Sequence, residues 1–124
     1  MKNDKVQLRK KFLLSRKKNY FKKKNFDFST LFNLIKKYFY KKNRIVIAGY
    51  YPSNYEVNIL KFLKKCSEKN FTIALPVVKN SKLMNFKKWI FEEPLYVSKF
   101  GILEPKSLNK DILPDVIIVP LVAF

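Results

Sequence analysis

The 124-residue chain contains no histidine, one cysteine and two glycines. Without histidine it has neither an imidazole-dependent zinc site nor a Ser-His-Asp triad. The lone cysteine, Cys66, cannot form a disulfide within the chain, which fits a reducing compartment. The two glycines, Gly49 and Gly101, stand far apart, so neither forms part of a glycine-rich phosphate-binding loop.

Long apolar runs are also lacking. None approaches the roughly 20 residues of a membrane-spanning helix, and the basic start MKNDKVQLRKKF has no apolar segment of the kind that directs secretion. We therefore expect a cytoplasmic protein without a membrane partner. A hydrophobic content of 48% with 16% aromatic residues excludes a mostly disordered chain, and the length predicts one domain over residues 1–124.

The positive charge is concentrated in the N-terminal third. The formal net charge is +18; residues 1–44 contain 16 Lys or Arg and two acids, whereas residues 45–124 contain 11 and seven. A basic surface of this kind can bind nucleic acid, anionic lipid or a polyphosphate. Only three of the 27 cations are arginine, the residue suited to bidentate phosphate recognition. We therefore favour compositional drift of the type seen in AT-rich genomes over nucleic-acid binding.

Helical periodicity dominates residues 1–44. Asn3 or Asp4 is a suitable N-cap for a helix that runs to about residue 25. A second helix is expected to begin near Ser29. Its predicted inner face has the helical spacing i, i+3, i+4 and i+7 and consists of Leu31, Leu34, Ile35 and Tyr38. These two helices form the basic N-terminal part of the predicted domain.

Residues 45–124 have the pattern of an α/β sheet. Three apolar runs predict buried strands: RIVIAGYY, FTIALPVV and PDVIIVPLVAF. The segment LMNFKKWIF predicts an edge or antiparallel strand. After the first run, PSN ends the strand and begins a helix through YEVNILKFLKKCSEKN. We therefore predict an α/β fold, with a mostly parallel sheet, helices on both faces, and two preceding N-terminal helices.

Three cations share one side of the first predicted helix. With Lys5 at 0° and about 100° per residue, Arg9 falls near 40° and Arg16 near 20°, within the apolar stripe that the sheet is expected to cover. Burying a cation without a partner is costly, so these side chains need either a structural salt bridge or a bound polyanion. Because acids are few, we favour an anion site.

Glu56 follows the C-terminal end of the first predicted strand, within YYPSNYEV. The helix dipole sufficiently explains an acid in the first turn of a helix, and position alone favours that interpretation. The alternative is a ligand-binding carboxylate, because open α/β sheets bind ligands outside the carboxyl ends of their strands.

Six segments occur in the order known from the 5-formyltetrahydrofolate cyclo-ligases, also called 5,10-methenyltetrahydrofolate synthetases. They are KVQLRKKFLLSR, YYPSNYEV, ALPVV, LMNFKKW, KFGILEP and PDVIIVPLVAF. The chain resembles this family from Lys5 to Phe124, and the spacing of FGILEP and PDVIIVPLVAF is the most specific part. The resemblance implies an enzyme of one-carbon metabolism that uses ATP and Mg²⁺. It would convert 5-formyltetrahydrofolate into 5,10-methenyltetrahydrofolate, with release of ADP and phosphate.

The resemblance also implies functional residues. The expected ATP contacts are Lys5, Val6, Gln7, Leu8 and Arg9, with Arg16 adding to them. The expected folate contacts are Tyr51 and Glu56. The candidates for the wall of the folate pocket are Met84, Phe86 and Trp89. No residue is assigned a catalytic role.

In the family, the segment matching PLVAF continues into an aspartate and a glycine-rich loop that closes on phosphate and helps to hold Mg²⁺. This loop is absent from the chain, so the resemblance implies that the C-terminal part of the family domain is missing and that the metal site lies in it. We expect a monomer that, alone, binds ATP poorly and does not turn over.

Two other functions remain as alternatives. A small basic nucleic-acid-binding protein would explain the charge, but the N-terminal aromatic residues are spaced for packing and no known nucleic-acid-binding signature is present. Peripheral membrane association through the basic helices ranks last, because the sheet needs their apolar stripes.

Overall fold

The computed structural model describes residues 2–20, 27–80 and 82–121. The helices are α1 (Lys2–Tyr20), α2 (Ser29–Tyr38) and α3 (Leu60–Glu68). The strands are β1 (Val46–Ala48), β2 (Thr72–Val78), β3 (Met84–Lys88), β4 (Tyr96–Val97), β5 (Leu103–Glu104) and β6 (Val116–Ile117). The predicted end of the first helix near residue 25 and the last residues of the final predicted strand lie outside this part. Within it, no helix is long and apolar enough to cross a membrane.

Four strands form a mixed sheet in the order β3-β2-β1-β6. β1 is parallel to both of its neighbours, with Ile47 opposite Ile73 of β2 and Val116 of β6. β3 is antiparallel to β2, with Phe86 opposite Pro76. The predicted α/β class and mostly parallel sheet are therefore confirmed, and LMNFKKWIF contains the antiparallel strand.

The hydrophobic core lies on one face of this sheet. The strands contribute Ile47, Ile73 and Leu75, which alternation and register place on the same side. The helices contribute Phe32 and Ile35 of α2 and Phe62, Leu63 and Cys66 of α3. Among the described residues, the helical members of this cluster come from α2 and α3, so both helices pack over the same face.

The inner face of α2 matches the predicted one in part, because Leu31 and Ile35 pack in the core as expected. Phe32 and Ile35 are buried, whereas the predicted core residues Leu34 and Tyr38 are 61% and 79% exposed. Phe32 stacks on Phe71, the residue before β2, with ring centroids 5.4 Å apart. The covered face of α2 is therefore centred closer to Phe32 than the spacing of the aliphatic residues predicts.

The helix α3 begins later than predicted, at Leu60 rather than directly after Asn54. Asn54 and Tyr55 have φ angles of 49° and 60°, which a right-handed helix does not contain. Residues 52–59 therefore form a loop over the end of β1. The side chain of Asn58 ends this loop, because its Oδ1 accepts the N–H of Leu60 at 2.9 Å.

The strand β6 is shorter and less buried than predicted. It spans Val116–Ile117, and the following Val119 and Leu121 are 63% and 60% exposed. β6 pairs with β1 on one side, and among the described residues no strand pairs with its other edge. The prediction of a fully buried strand is therefore wrong for this segment.

A short hairpin of β4 and β5 is not predicted by the sequence patterns. Tyr96 pairs with Glu104, and the connecting turn is closed by the N–H of Ser98 donating to the carbonyl of Ile102 at 2.8 Å. Gly101 adopts a φ of 73° in this turn, a conformation that favours glycine. The hairpin contacts the sheet through β2 and β5 and supplies one wall of the cavity described next.

Candidate functional site

A cavity of about 360 Å³ opens between the end of β1, the start of α3 and the β4–β5 hairpin. Its walls are mainly aromatic and aliphatic, with one carboxylate. They are formed by Tyr51, Leu60, Trp89, Phe91, Glu93, Leu95 and Leu103. We call it the Tyr51–Trp89 cavity. Such walls suit a flat organic ligand that carries a few polar groups.

Trp89 is held rigidly at this cavity. It directly follows β3, and its backbone N–H donates to the carbonyl of Ile73 at 2.9 Å, extending the antiparallel ladder. Its indole Nε1–H donates to the carbonyl of Glu93 at 3.2 Å. The indole ring also packs on Phe91, with centroids 4.5 Å apart, and the residue is only 5% exposed. An aromatic wall fixed in this way needs no rearrangement to receive a ring.

Tyr51 reaches the cavity because the end of β1 packs closely on α3. The N–H of Gly49 donates to the carbonyl of Ala74 at 3.0 Å, and a Cβ at this position would lie 2.8 Å from Leu63 Cδ1. The next residue, Tyr50, donates its hydroxyl to the carbonyl of Val57 at 2.7 Å. Burial and the nearby Glu56 raise the pKa of Tyr50, with Arg16 acting in the opposite direction. Tyr50 is therefore a neutral hydrogen-bond donor that anchors the loop after β1.

Glu56 is not among the residues that line the cavity. Its Oε1 accepts hydrogen bonds from the N–H and the hydroxyl of Ser53, at 2.8 and 3.1 Å. Its own N–H donates to the carbonyl of Ser53 at 3.0 Å. Glu56 thus closes the turn that contains Asn54 and Tyr55, and its predicted position at a helix start is wrong. Its contact with a folate stays a prediction.

Met84 and Trp89 lie on opposite faces of the sheet. Side chains alternate along β3, so Met84 and Phe86 share one face, while Lys87 and Trp89 share the other. Met84 is 54% exposed. Of the five residues predicted for the folate site, the structure therefore brings Tyr51 and Trp89 to one cavity. It does not bring Glu56, Met84 or Phe86 there.

The N-terminal cations of α1 do not point into the fold. Lys5, Val6, Gln7, Leu8 and Arg9 are all exposed. The expectation that Lys5 and Arg9 lie on a buried stripe is therefore wrong. The charge and apolar pattern of α1 could not determine which side of the helix is covered, because this helix contacts the body through its C-terminal turns. Contact of these five residues with ATP stays a prediction that rests on the resemblance.

Arg16 differs from the other predicted ATP residues because it is partly buried. Its Nη1 donates to the carbonyl of Leu121 at 3.3 Å. Its Nε is buried and has no hydrogen-bond partner among the described residues. Nearby, the ring of Tyr55 packs edge-on against Tyr20 and lies 5.6 Å from Lys17 Nζ. A buried guanidinium nitrogen without a partner suits an anionic ligand.

A metal ion would need a cluster of carboxylate or thiolate side chains as ligands. Over residues 2–20, 27–80 and 82–121, no group of three or more Cys, Asp or Glu side chains could hold a metal. The described residues therefore offer no all-protein ligand cluster for Mg²⁺.

Glu93 is a cavity residue that the sequence patterns do not indicate. It lies in the turn of residues 91–93, after the antiparallel strand, and the hydrogen bond from the Trp89 indole to its carbonyl holds it beside the cavity. The only local signal is the acidic pair before Pro94, which is typical of any exposed turn.

The search of solved structures finds a similar fold in the NMR structure of 5,10-methenyltetrahydrofolate synthetase from Aquifex aeolicus. The TM-score is 0.63 and the sequence identity 26%, over 96% of this chain and 61% of that chain. The chain thus spans less than two thirds of the length of this relative. No protein-family model and no curated protein sequence matches it. The likeness of sequence and fold confirms the resemblance to the 5,10-methenyltetrahydrofolate synthetase (5-formyltetrahydrofolate cyclo-ligase) family.

Proposed function

We propose that the chain provides the folate-binding part of a 5-formyltetrahydrofolate cyclo-ligase. The reaction is the ATP-dependent conversion of 5-formyltetrahydrofolate into 5,10-methenyltetrahydrofolate, with release of ADP and phosphate. The observation that carries this proposal is the structural likeness to the Aquifex aeolicus synthetase over nearly the whole chain. We further propose that the protein acts as a cytoplasmic monomer in one-carbon metabolism.

The Tyr51–Trp89 cavity is the proposed folate site. Its volume of about 360 Å³ falls within the range of small-molecule pockets, roughly 300–1,000 Å³. The indole of Trp89, fixed by its hydrogen bond to Glu93, forms part of the apolar wall that a pterin ring can contact. Tyr51 lies at the opening and is 37% exposed, so it can cover a bound ring from the other side. The chain's own contribution to the reaction is to orient the formyl group and exclude water from it.

Arg16 is the proposed nucleotide contact that a structural observation supports. ATP, when bound, supplies the phosphoryl group that activates the formyl oxygen for cyclisation. A guanidinium held against the carbonyl of Leu121, with its Nε unpaired, can donate to phosphate oxygens without first breaking another hydrogen bond. The exposed residues Lys5 to Arg9 remain proposed ATP contacts on the strength of the resemblance alone.

Fluorescence of Trp89 tests the folate site directly, because it is the only tryptophan. We expect 5-formyltetrahydrofolate to quench it saturably. p-Aminobenzoylglutamate is the matched ligand control, since it carries the anionic tail without the pterin and should leave the emission unchanged. Equal responses to both ligands would mean that the positive charge attracts the tail and that the cavity is not the site.

A second measurement concerns turnover. With ATP and Mg²⁺ added, we expect the 124-residue chain to form no 5,10-methenyltetrahydrofolate, because it lacks a glycine-rich phosphate loop. The absorbance of the product is the readout. A rate comparable to that of an intact cyclo-ligase would contradict this expectation and would mean that the chain holds a complete site.

The exposure of α1 favours nucleic-acid binding as the second candidate function. Lys5, Arg9, Lys10 and Lys11 face solvent on one helix, together with exposed Phe12. Such a surface can attract phosphates without sequence preference. Titration with an RNA oligomer at two salt concentrations tests this candidate, because a nucleic-acid-binding protein is expected to bind tightly and with a steep dependence on salt.

A further inference from the structure

The carboxylate residue of the Tyr51–Trp89 cavity is Glu93, which is half-buried and held from several sides. Its Oε2 accepts a hydrogen bond from Asn109 Nδ2 at 2.8 Å. Its backbone N–H donates to the carbonyl of Ile90 at 2.9 Å, and its carbonyl accepts the indole N–H of Trp89 at 3.2 Å. The side chain and the aromatic wall are therefore fixed relative to each other.

Asn109, which orients Glu93, is itself fixed by β3. The Nδ2 of Asn109 also donates to the backbone carbonyl of Lys88 at 3.0 Å. The backbone carbonyl of Asn109 accepts a hydrogen bond from Lys87 Nζ at 3.0 Å. The Lys87 side chain is 10% exposed, and its Nζ makes a second bond of 2.7 Å to Asp111 Oδ1. This chain of bonds joins the sheet to Glu93 and limits the directions that its carboxylate can take.

The carboxylate of Glu93 keeps hydrogen-bonding capacity that the protein does not use. An ionised carboxylate can accept about four hydrogen bonds, and Oε2 accepts one. Oε1 accepts none from the described residues. By contrast, Oε1 of Glu56 already accepts two hydrogen bonds from Ser53. Of these two acids, Glu93 is the one that lines the cavity and has a carboxylate oxygen that accepts no hydrogen bond from the described residues.

We propose that Glu93 binds the adjacent N–H donors at the pyrimidinone end of the substrate's pterin ring and thereby sets the orientation of the ring against Trp89. The inference rests on the proposed function, namely that this cavity receives 5-formyltetrahydrofolate. Neighbouring ring and exocyclic N–H groups match the two oxygens of a carboxylate, and bonds to a charged acceptor are stronger than neutral ones. A carboxylate fixed by Asn109 binds them with little loss of side-chain entropy.

The test compares the affinities of two ligands for two variants, measured through Trp89 fluorescence. Glu93→Gln keeps the size of the side chain and an oxygen for Asn109 but removes the charge and one acceptor. We expect its affinity for 5-formyltetrahydrofolate to fall roughly 10- to 100-fold. Glu92→Gln is the matched control, because the neighbouring Glu92 is exposed and does not line the cavity; it should bind within about twofold of the unmodified chain.

The second ligand is the 2-desamino analogue of 5-formyltetrahydrofolate, which lacks the exocyclic N–H donors. The unmodified chain should bind it more weakly than the parent ligand, and Glu93→Gln should bind both equally. A merely structural role of Glu93 would weaken both ligands alike and would leave their ratio unchanged, which would overturn the proposal. If Glu93→Gln does not fold, Glu93→Asp replaces it, with the charge kept but withdrawn by one methylene, and the same loss of discrimination is expected.

The outcomes separate this inference from the proposed function. Saturable quenching of the unmodified chain, together with unchanged affinity in Glu93→Gln, would overturn the role of Glu93 and leave the folate site standing. Absence of quenching in the unmodified chain would overturn both.

Discussion

Asp115 and Val46 exchange two hydrogen bonds that join the start of β6 to the start of β1. The Oδ2 of Asp115 accepts the N–H of Val46 at 2.8 Å, and the N–H of Asp115 donates to the carbonyl of Val46 at 2.8 Å. The other carboxylate oxygen pairs with Lys42, in the turn after α2. One side chain therefore ties three segments together at the N-terminal edge of the parallel strands.

The stability of the fold should depend on the ionisation of Asp115. Burial opposes ionisation, but the hydrogen bonds from Lys42 and from the Val46 N–H outweigh it, so the pKa lies below the usual value of 3.8. Stability from a lowered pKa is present above the unfolded-state pKa and is lost as the pH falls through the folded-state pKa. We expect Asp115→Asn to lower the free energy of unfolding by about 1.5–3 kcal/mol at pH 7 and by much less at pH 3. Denaturant unfolding followed by Trp89 emission measures both values.

Two controls isolate the bond to Val46. Lys42→Gln removes a partner that is half exposed, so its effect at pH 7 should stay within about 1 kcal/mol. Asp4→Asn removes the same charge as Asp115→Asn from an exposed position on α1 and should be neutral. If Asp115→Asn lost as much stability at pH 3 as at pH 7, the effect would come from packing and not from the ionised carboxylate.

Gly49→Ala should loosen the contact between β1 and α3. The added Cβ would lie 2.8 and 2.9 Å from the two methyl groups of Leu63, which is fully buried, and 3.2 Å from Ile59 Cδ1. Relieving this overlap has to move buried side chains, at a cost of about 1–3 kcal/mol. Because α3 begins with Leu60 at the cavity wall, the affinity for 5-formyltetrahydrofolate should fall as well. Unfolding free energies and the Trp89 titration give the two results.

A double variant identifies the cause of that loss. Leu63→Val shortens the side chain that the new Cβ meets, so Gly49→Ala combined with Leu63→Val should be more stable than the sum of the single effects predicts. Gly101→Ala is the contrasting variant. Nothing lies within 4 Å of its Cβ, so its cost of roughly 1 kcal/mol comes from the positive φ and should be independent of Leu63. Strict additivity of Gly49→Ala and Leu63→Val would argue against the steric explanation.

Cys66 should be inert to thiol reagents while the protein is folded. The residue is fully buried among the core side chains of α3, and burial raises its pKa to about 12, against an opposing effect of Lys65. The reactive thiolate is therefore both rare and inaccessible at pH 8. A disulfide reagent should modify less than one tenth of the thiol in the time that gives full reaction in denaturant. Rapid stoichiometric reaction of the native chain would mean that α3 does not pack as described.

The fold was largely predictable because its strands have a simple pattern. Val46–Ala48 and Thr72–Val78 lie within continuous apolar runs, and such runs are typical of parallel strands covered by helices. The start of α2 at Ser29 was also predicted correctly. The late start of α3 could not be predicted, because the positive φ angles of Asn54 and Tyr55 depend on the Ser53–Glu56 turn. No periodicity encodes a turn of that kind.

The candidate site was less predictable than the fold, because it depends on which faces are covered. Strand alternation separates Met84 from Trp89, but the resemblance alone suggests that both line one pocket. Helical spacing places Lys5, Arg9 and Arg16 on one side of α1, but it cannot show that α1 contacts the rest of the fold near Arg16 and Tyr20. Glu93 lies in the turn before the β4–β5 hairpin, and the two-residue strands of this hairpin, which also lines the cavity, are too short to detect from sequence.

Arg16 offers the sharpest test of an anion site on α1. Its buried Nε has no partner among the described residues, so a bound polyphosphate should satisfy it, and binding to the folded state raises the melting temperature. With tripolyphosphate, we expect a clear rise for the unmodified chain and a rise at least halved for Arg16→Lys, which keeps the charge but loses the planar donors.

Arg44→Lys is the matched control for this prediction, because Arg44 is exposed and is not one of the proposed ATP contacts. Its melting temperature should rise with tripolyphosphate as much as that of the unmodified chain. Non-specific attraction to a net charge of +18 acts equally on all three proteins, since each carries the same charge. Equal shifts in all three would therefore assign the effect to overall charge, and the partly buried guanidinium would then be a structural group that binds Leu121 and no ligand.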